Sequence, residues 1–350
     1  MPYDRVPETT QTLYAELLEL AIHAAAEEAA IGAPPGTFVS KVIKGRTYWY
    51  LQRQEGERKR QLYLGPESDE LQGWMRKVKE ARSAAKVDQK TRSRICSMLA
   101  AGGAVRETAA VTKVLRLLSD SGVFRWGGVL VGTHAFTAHA NMLGVRFDGR
   151  MLRTQDVDVA QDPAIGVALS AREETSDVER ALVDSGLGFH AVPGFDPRHP
   201  STSFKIRGRE LRVDFLTPLK GPETDKPVFL PAFKVSAQPL RLLDYLIADP
   251  AQAVVVGGSG VLVNVPDPAR FAIHKLWTSG RRPVSEQAKA AKDLRQAGQL
   301  IEVLLDDRPE DLAAAWDGLR GRKAAARKVF SAARRLEPEI RDRLAAILAG

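Results

Sequence analysis

Gly127-Gly128-Val129-Leu130-Val131-Gly132-Thr133-His134-Ala135-Phe136, followed by Thr154-Gln155-Asp156-Val157-Asp158-Val159, is the stretch on which the fold turns. The first segment reads as a buried strand that passes through a small-residue turn into a helix. Gly132 lets backbone approach a ligand there, and amides at a helix N-terminus attract phosphate. The second segment reads as a short strand. Residues i and i+2 of a strand project from one face, so the carboxylates of Asp156 and Asp158 converge. Side-by-side carboxylates repel unless a cation or a shared proton compensates. Oxygen ligands at this spacing suit Mg²⁺, with Mn²⁺ as the alternative ion, because Mg²⁺ keeps waters and also takes phosphate oxygens. The bland reading of a lone Asp-x-Asp is a solvent face. A third acid, Asp214 in Arg212-Val213-Asp214-Phe215-Leu216, lies within another apolar strand, where an uncompensated carboxylate is costly.

Outward from these residues, RTQDVDVA, VALSA, FKIRGRELRVDFLTP and PVFL are short strand candidates, with TSDVERALVDSG as a well-capped helix among them. Mixed strands and helices in this order predict an α/β or α+β core over about 126–235. AVVVGGSGVLVNVP is a hairpin signal, and from Pro266 the chain is mainly helical, ending in a basic helical pair broken at Pro338. Upstream, Glu8 to Glu28 has helical spacing and is ended by Gly32-Ala33-Pro34-Pro35-Gly36. TFVSKVIKGRTYWYLQRQEGERKRQLYLGP predicts a three-stranded antiparallel meander over about 38–64, and a basic helix follows from Asp69 to about Leu99. The expectation is an α+β protein in four parts. Residues 1–37 hold an N-terminal helix, 38–125 the basic meander plus helices, 126–235 a mixed-sheet core, and 236–350 a hairpin and a C-terminal helical domain.

Composition bounds the function. With 350 residues, 44% hydrophobic and 27% charged, the chain is not wholesale disordered. No apolar run approaches a membrane span, and the N-terminus lacks a secretory pattern. Cys96 is the single cysteine, which excludes an intrachain disulfide and fits a reducing cytoplasm. The net charge of +8 is uneven: residues 41–94 hold fifteen basic and seven acidic side chains, and residues 318–350 hold nine and three. Two basic flanks suggest a polyanionic partner, such as RNA or tRNA, held beside a separate site; solvated helix faces are the plain alternative. In the meander, Tyr48 and Tyr50, with Trp49 and Tyr63, interleave with Lys44, Arg46, Arg58, Lys59 and Arg60. Aromatic faces stack on bases while basic side chains neutralise phosphates. Half of a strand's aromatics must pack inward, which points Trp49 at the following helix. No HExxH pair or Walker A sequence occurs, and the spacing gives His134 and His139 a packing or capping role.

The order of a Gly132-Thr133 turn, an Asp156-x-Asp158 strand and the later strand acid Asp214 resembles the DNA-polymerase-β-like nucleotidyltransferase superfamily. Within it, the VGTHAF-type turn and T-x-DVD strand are similar to bacterial nucleotidyltransferase-fold proteins and to AbiEii-type abortive-infection toxins. The resemblance spans about 126–300. It implies attack of an acceptor hydroxyl on the α-phosphate of an NTP with loss of pyrophosphate, in a toxin or defence setting. It further implies that Asp156 and Asp158 bridge the cations and that Asp214 binds the acceptor-side metal. Lys275 (AIHKLW) would neutralise the triphosphate, and Thr133 with nearby amides would hold its oxygens. Asp293 (AKDLRQA) would orient Lys275 or bind acceptor, and Arg281 and Arg282 are further phosphate candidates. Against this, Lys275 on an amphipathic helix and Asp293 in an exposed pair with Lys289 or Lys292 are ordinary surface features. Two other functions fit the same residues: a noncatalytic nucleic-acid-binding regulator on this fold, and NMP transfer to a small molecule or a protein.

Overall fold

The computed structural model describes residues 3–31, 36–55, 58–147, 155–165, 177–193 and 201–349. VALSA, read above as a strand candidate, lies outside the described residues, as does Thr154.

The chain opens with strand β1 (Tyr3–Arg5) and a helix, Glu8–Ile31. The meander follows as β2 (Thr37–Ile43), β3 (Arg46–Glu55) and β4 (Arg58–Pro66), paired antiparallel in chain order. Its alternation divides it into two faces. Phe38 and Leu51, directly opposite each other, belong to the face that meets the long helix Asp69–Ala101; Leu51 is fully buried, and Phe38 meets the edge of Trp74 on that helix. Ser68 caps the helix by accepting a hydrogen bond from the Leu71 amide. The other face carries Tyr48, Tyr50 and Tyr63 outward. The long helix returns to the body of the protein at its C-terminal end, where Ile95, Cys96 and Leu99 pack with Tyr14, Leu17 and Ala21 of the first helix.

The body is built on one mixed sheet. β5 (Val129–Val131) runs straight into the helix Gly132–Met142, and β6 (Val145–Phe147) turns back to pair with β1. β7 (Asp156–Ala160) is antiparallel to β5 and parallel to β10 (Arg212–Pro218). β8 (Phe189–Ala191) and β9 (Ser203–Ile206) continue the sheet along one half of β10. β11 (Val228–Leu230) and β12 (Val235–Leu240) complete it along the other half. The sheet therefore crosses residue 235, where a boundary was expected. The predicted hairpin is β13 (Ala251–Val255) with β14 (Val261–Val265). Asn264 of β14 donates to the carbonyls of Phe124 (2.7 Å) and Gly128 (2.9 Å), while Gln161 donates to that of Trp126 (2.6 Å). These bonds fix the turn that launches β5.

Helices Pro268–Ser279 and Gln287–Asp307 pack against each other beside this sheet, and Pro309–Arg320, Lys323–Ala333 and Pro338–Ala349 finish the chain. One continuous apolar core runs from Val111 through the sheet to Leu348. The α+β class with a mixed sheet, an N-terminal helix and C-terminal helices is thus the observed architecture. Among the described residues, no helix is long and apolar enough to cross a membrane.

Candidate active site

The parallel pairing of β7 with β10 decides the geometry, because it places Asp214 opposite Asp158 and Arg212 opposite Asp156. Partners across a parallel ladder share a face, so the three carboxylates face one way. On the other edge of β7, Val131 is opposite Asp158, which brings the start of the Gly132–Met142 helix to the same spot. Gly132 has a φ of +70°, and a Cβ added there would collide with Asp158 Oδ2. The glycine is required twice over, for its left-handed backbone and for the close approach of the carboxylate. The helix that follows has Val131 at its cap position and no side-chain cap. Its first amides lack intrahelical acceptors and stand at the carboxylate face, the arrangement that receives an anion.

Half-buried Asp158 is the centre of this face. Burial pushes its pKa up to about 7, and the neighbouring charges of Asp214 and Asp156 add to that; Lys275 and His134 work the other way. An acid so placed calls for positive charge when ionised. Asp214 already has some: Arg212 Nε donates to its Oδ1 at 2.7 Å, and the Ser203 hydroxyl donates to the same oxygen. Arg212 Nη2 also donates to Ser203 Oγ at 2.8 Å. Among the described residues, no group of three or more His, Cys, Asp or Glu side chains is gathered tightly enough to hold a metal ion. The fit to Mg²⁺ rests on the Asp156–Asp158 pair, which suffices for an ion that retains waters and takes phosphate oxygens. Asp214 joins such a site only when its carboxylate turns from Arg212.

Opposite the carboxylates stands a cationic wall from two helices. Asp267 caps the helix Pro268–Ser279, accepting from the amides of Ala269 (3.0 Å) and Arg270 (2.9 Å), and this fixes where Lys275 emerges. Asp293, on Gln287–Asp307, accepts from Lys275 Nζ at 2.7 Å and from Arg282 Nε at 2.6 Å. Its side chain is only 4% exposed. Burial alone would raise its pKa, but Lys275 and Arg282 outweigh burial and hold it below the usual carboxylate range. Asp293 is therefore not the exposed partner of Lys289 or Lys292. It is the acid that clamps two cations, Lys275 and Arg282. Arg282 also reaches Glu286 at 2.7 Å.

Lys292 completes the wall. Its Nζ donates to Thr133 Oγ1 at 3.0 Å, and its field reaches both Asp156 and Asp158. Burial and the nearby Lys275 lower its pKa. The sequence offered Lys292 only as a surface partner for Asp293. The helical register that buries Asp293 and Gln296 turns Lys292 toward Thr133, and that register becomes visible only once the helix is packed. Glu107 is a second contributor that sequence reasoning missed. It lies in the connector before the helix Ala109–Asp120, and its Oε1 is 2.7 Å from His134 Nδ1. His134 is almost fully buried, and its Nε2 has no partner among the described residues. His139 is a packing residue, as expected: Nε2 donates to the Pro266 carbonyl at 2.8 Å, its ring meets the edge of Phe271, and burial lowers its pKa to about 4.

Arg281 is not brought into this network. Its guanidinium lies 4.9 Å from the Trp277 ring centroid and pairs with Glu223 at 3.2 Å. The phosphate role read for Arg281 gains no support from these contacts, because the residue projects from its helix end on the Trp277 side. The meander candidates form a separate surface. Tyr50 and Tyr63 pack at 5.4 Å between centroids, Tyr48 lies 6.3 Å from Tyr63, and Lys41 Nζ sits 4.8 Å over the Tyr50 ring. Lys44, Arg46, Lys59 and Arg60 are exposed; the Arg58 side chain lies outside the described residues. Trp49 is on the opposite face from Tyr48 and Tyr50, with its indole nitrogen buried.

A strand-turn-helix that presents amides, an acidic strand pair with a third acid in register, and an opposing cationic wall face one another across one site. A family model described as Nucleotidyltransferase matches residues 109–320, and the chain belongs to that family. Residues 3–73 match the model of a domain of unknown function, DUF6788. No curated protein matches the chain. The matched nucleotidyltransferase region contains every residue of the site except Glu107.

Proposed function

We propose that the protein is a Mg²⁺-dependent nucleotidyltransferase that moves NMP from an NTP to a hydroxyl of a polyanionic acceptor, RNA or tRNA. The observation that carries this reading is the register of Asp158 with Asp214 beside the uncapped helix at Gly132. Asp156 and Asp158 would hold the ion, which would supply charge neutralisation to the triphosphate and polarisation of the α-phosphate. Thr133 and the first helix amides hold phosphate oxygens, and Lys275 and Lys292 oppose the charge of the departing pyrophosphate. The acceptor oxygen forms the new bond to the α-phosphorus, and the bond to the bridging oxygen breaks. Asp214 takes the hydroxyl proton, and Arg212 releases it for this role. The basic meander holds the polynucleotide away from the reacting atoms. A toxin or defence role accords with the likeness to AbiEii-type proteins.

The test is incubation with each labelled NTP, Mg²⁺ and total RNA. Label is expected in RNA with the wild type and to fall at least about 1,000-fold in Asp156→Ala/Asp158→Ala, since groups acting on transition-state charge contribute at this scale. Label transfer that persists in the double variant rejects this site.

A further inference from the structure

One described cavity lies away from the carboxylates. A cleft of about 790 Å³ opens between β1 and β6, the helix Gln287–Asp307 and the turn into the last helix. That volume is within the range of small-ligand sites. Its apolar floor includes Phe147, Leu294, Leu336 and Ile340, and Arg146, Arg295 and Arg335 stand around it. Arg146 is paired with Asp4 at 3.4 Å. The guanidinium groups of Arg295 and Arg335 have no carboxylate or other acceptor among the described residues, unlike Arg282, Arg322 and Arg343, each of which meets an acid. With Asp4 engaged, Glu337 is the remaining acid of the lining, set against two unpaired arginines.

The cleft and the candidate active site share walls. Arg295 lies one turn along the helix from Lys292, which bonds Thr133. Phe147 stacks on Phe136, one turn after Thr133, at 4.7 Å and 20° between planes. An apolar floor with two free guanidiniums suits a ligand that is apolar at one end and anionic at the other. A bare phosphate leaves the floor unused, and an uncharged base leaves the arginines unused. Guanidinium is the side-chain group that matches phosphate oxygens two at a time.

We propose that this cleft is a second nucleotide site, in which a nucleoside phosphate lays its base on the apolar floor at Leu294 and its phosphate on Arg295 and Arg335. It rests on the nucleotidyl-transfer reading only for its purpose, which is to hold a nucleotide away from the reacting atoms. The occupant is either a free nucleotide or one residue of a polynucleotide acceptor.

The test measures binding of a fluorescein-labelled 12-nucleotide RNA in EDTA, with and without AMP as competitor, to wild type, Arg295→Ala/Arg335→Ala and Ala291→Trp. Ala291 is exposed and lines the cleft, so the tryptophan narrows it without altering charge. Both variants are expected to lose about tenfold in RNA affinity, and the arginine variant also loses about one to two units of salt slope. Competition by AMP in the wild type assigns the cleft to free nucleotide as well; loss of RNA binding without AMP competition assigns it to polynucleotide alone. Unchanged RNA and AMP binding in the arginine variant overturns the proposal. So does a loss confined to the arginine variant, which reports surface charge without a built cleft. MgNTP binding is measured separately: its absence in the wild type rejects the transferase reading and leaves this site standing.

Discussion

The carboxylate site and the meander are both charged surfaces, yet they are built in opposite ways. At the site most charges are answered by a close partner, Asp293 by Lys275 and Arg282, Asp214 by Arg212, Glu107 by His134, and Asp158 is the acid left against its neighbours. On the meander, Lys44, Arg46, Lys59 and Arg60 stand in solvent around three tyrosines, and Tyr63 is 53% exposed. Burial makes an unanswered charge costly, so the site is a network whose members depend on one another. Exposure makes each charge cheap, so what the meander presents is a summed field.

That difference can be broken most sharply at Asp293. Asp293→Ala leaves Lys275 and Arg282 facing each other without their shared acid, and a loss of about 3–5 kcal/mol is expected. Thermal unfolding followed by circular dichroism should show a fall of roughly 10 °C at this chain size; a change under about 2 °C would show that the clamp is dispensable. Lys292→Met keeps the aliphatic stem and removes the charge next to Thr133. It should leave the melting temperature nearly unchanged and weaken MgNTP binding by about 10- to 100-fold, consistent with the loss of one charge-assisted contact of about 1.5–3 kcal/mol. Equal NTP affinity in titration calorimetry would place Lys292 outside the nucleotide site.

A pH series sharpens the comparison further. The folded pKa of Asp158, about 7, lies above its ordinary value of 3.8, so the folded state holds the extra proton between those limits. In EDTA this group makes stability fall as pH rises from about 4 to about 7. Asp158→Asn should therefore melt higher than wild type at pH 7.5, by about 2–4 °C, and the gap should close toward pH 4.5. Parallel melting curves across this range would show that Asp158 is not the strained acid of the face. The smallest effect is expected on the meander. Exchanging Arg58, Lys59 and Arg60 for Gln should reduce RNA affinity about three- to tenfold at low salt, with the difference shrinking as salt rises. RNA affinity equal to wild type at every salt concentration would remove the meander from the nucleic-acid surface.

Much of the fold was legible because local patterns carry it. The Gly-rich strand-to-helix turn, the GGSG hairpin and the basic meander each have a short-range physical signature, and each is where its signature predicts. The site was legible in part. Asp156 and Asp158 share a face by strand alternation alone, and no tertiary information is needed to see it. The Lys275–Asp293 pair came from a family resemblance, since eighteen positions separate the two residues on different helices and no sequence period links them. Arg281 and Arg282, adjacent in sequence, were read alike. Packing gave Arg282 to Asp293 and Arg281 to Glu223 and Trp277.

By itself, the sequence determined which residues are charged, which strands alternate, and that a small-residue turn leads into the helix at Thr133. Only the tertiary structure decided what those charges meet. It set Asp214 in register with Asp158 through the parallel pairing of two strands more than fifty residues apart. It rotated one helix so that Asp293 is buried while Lys292 reaches Thr133. It also brought Glu107 from a connector to His134. The reason is range: dihedral preference and periodicity act over a few residues, whereas the pairing of a buried charge is settled by whichever partner the packed core carries to it.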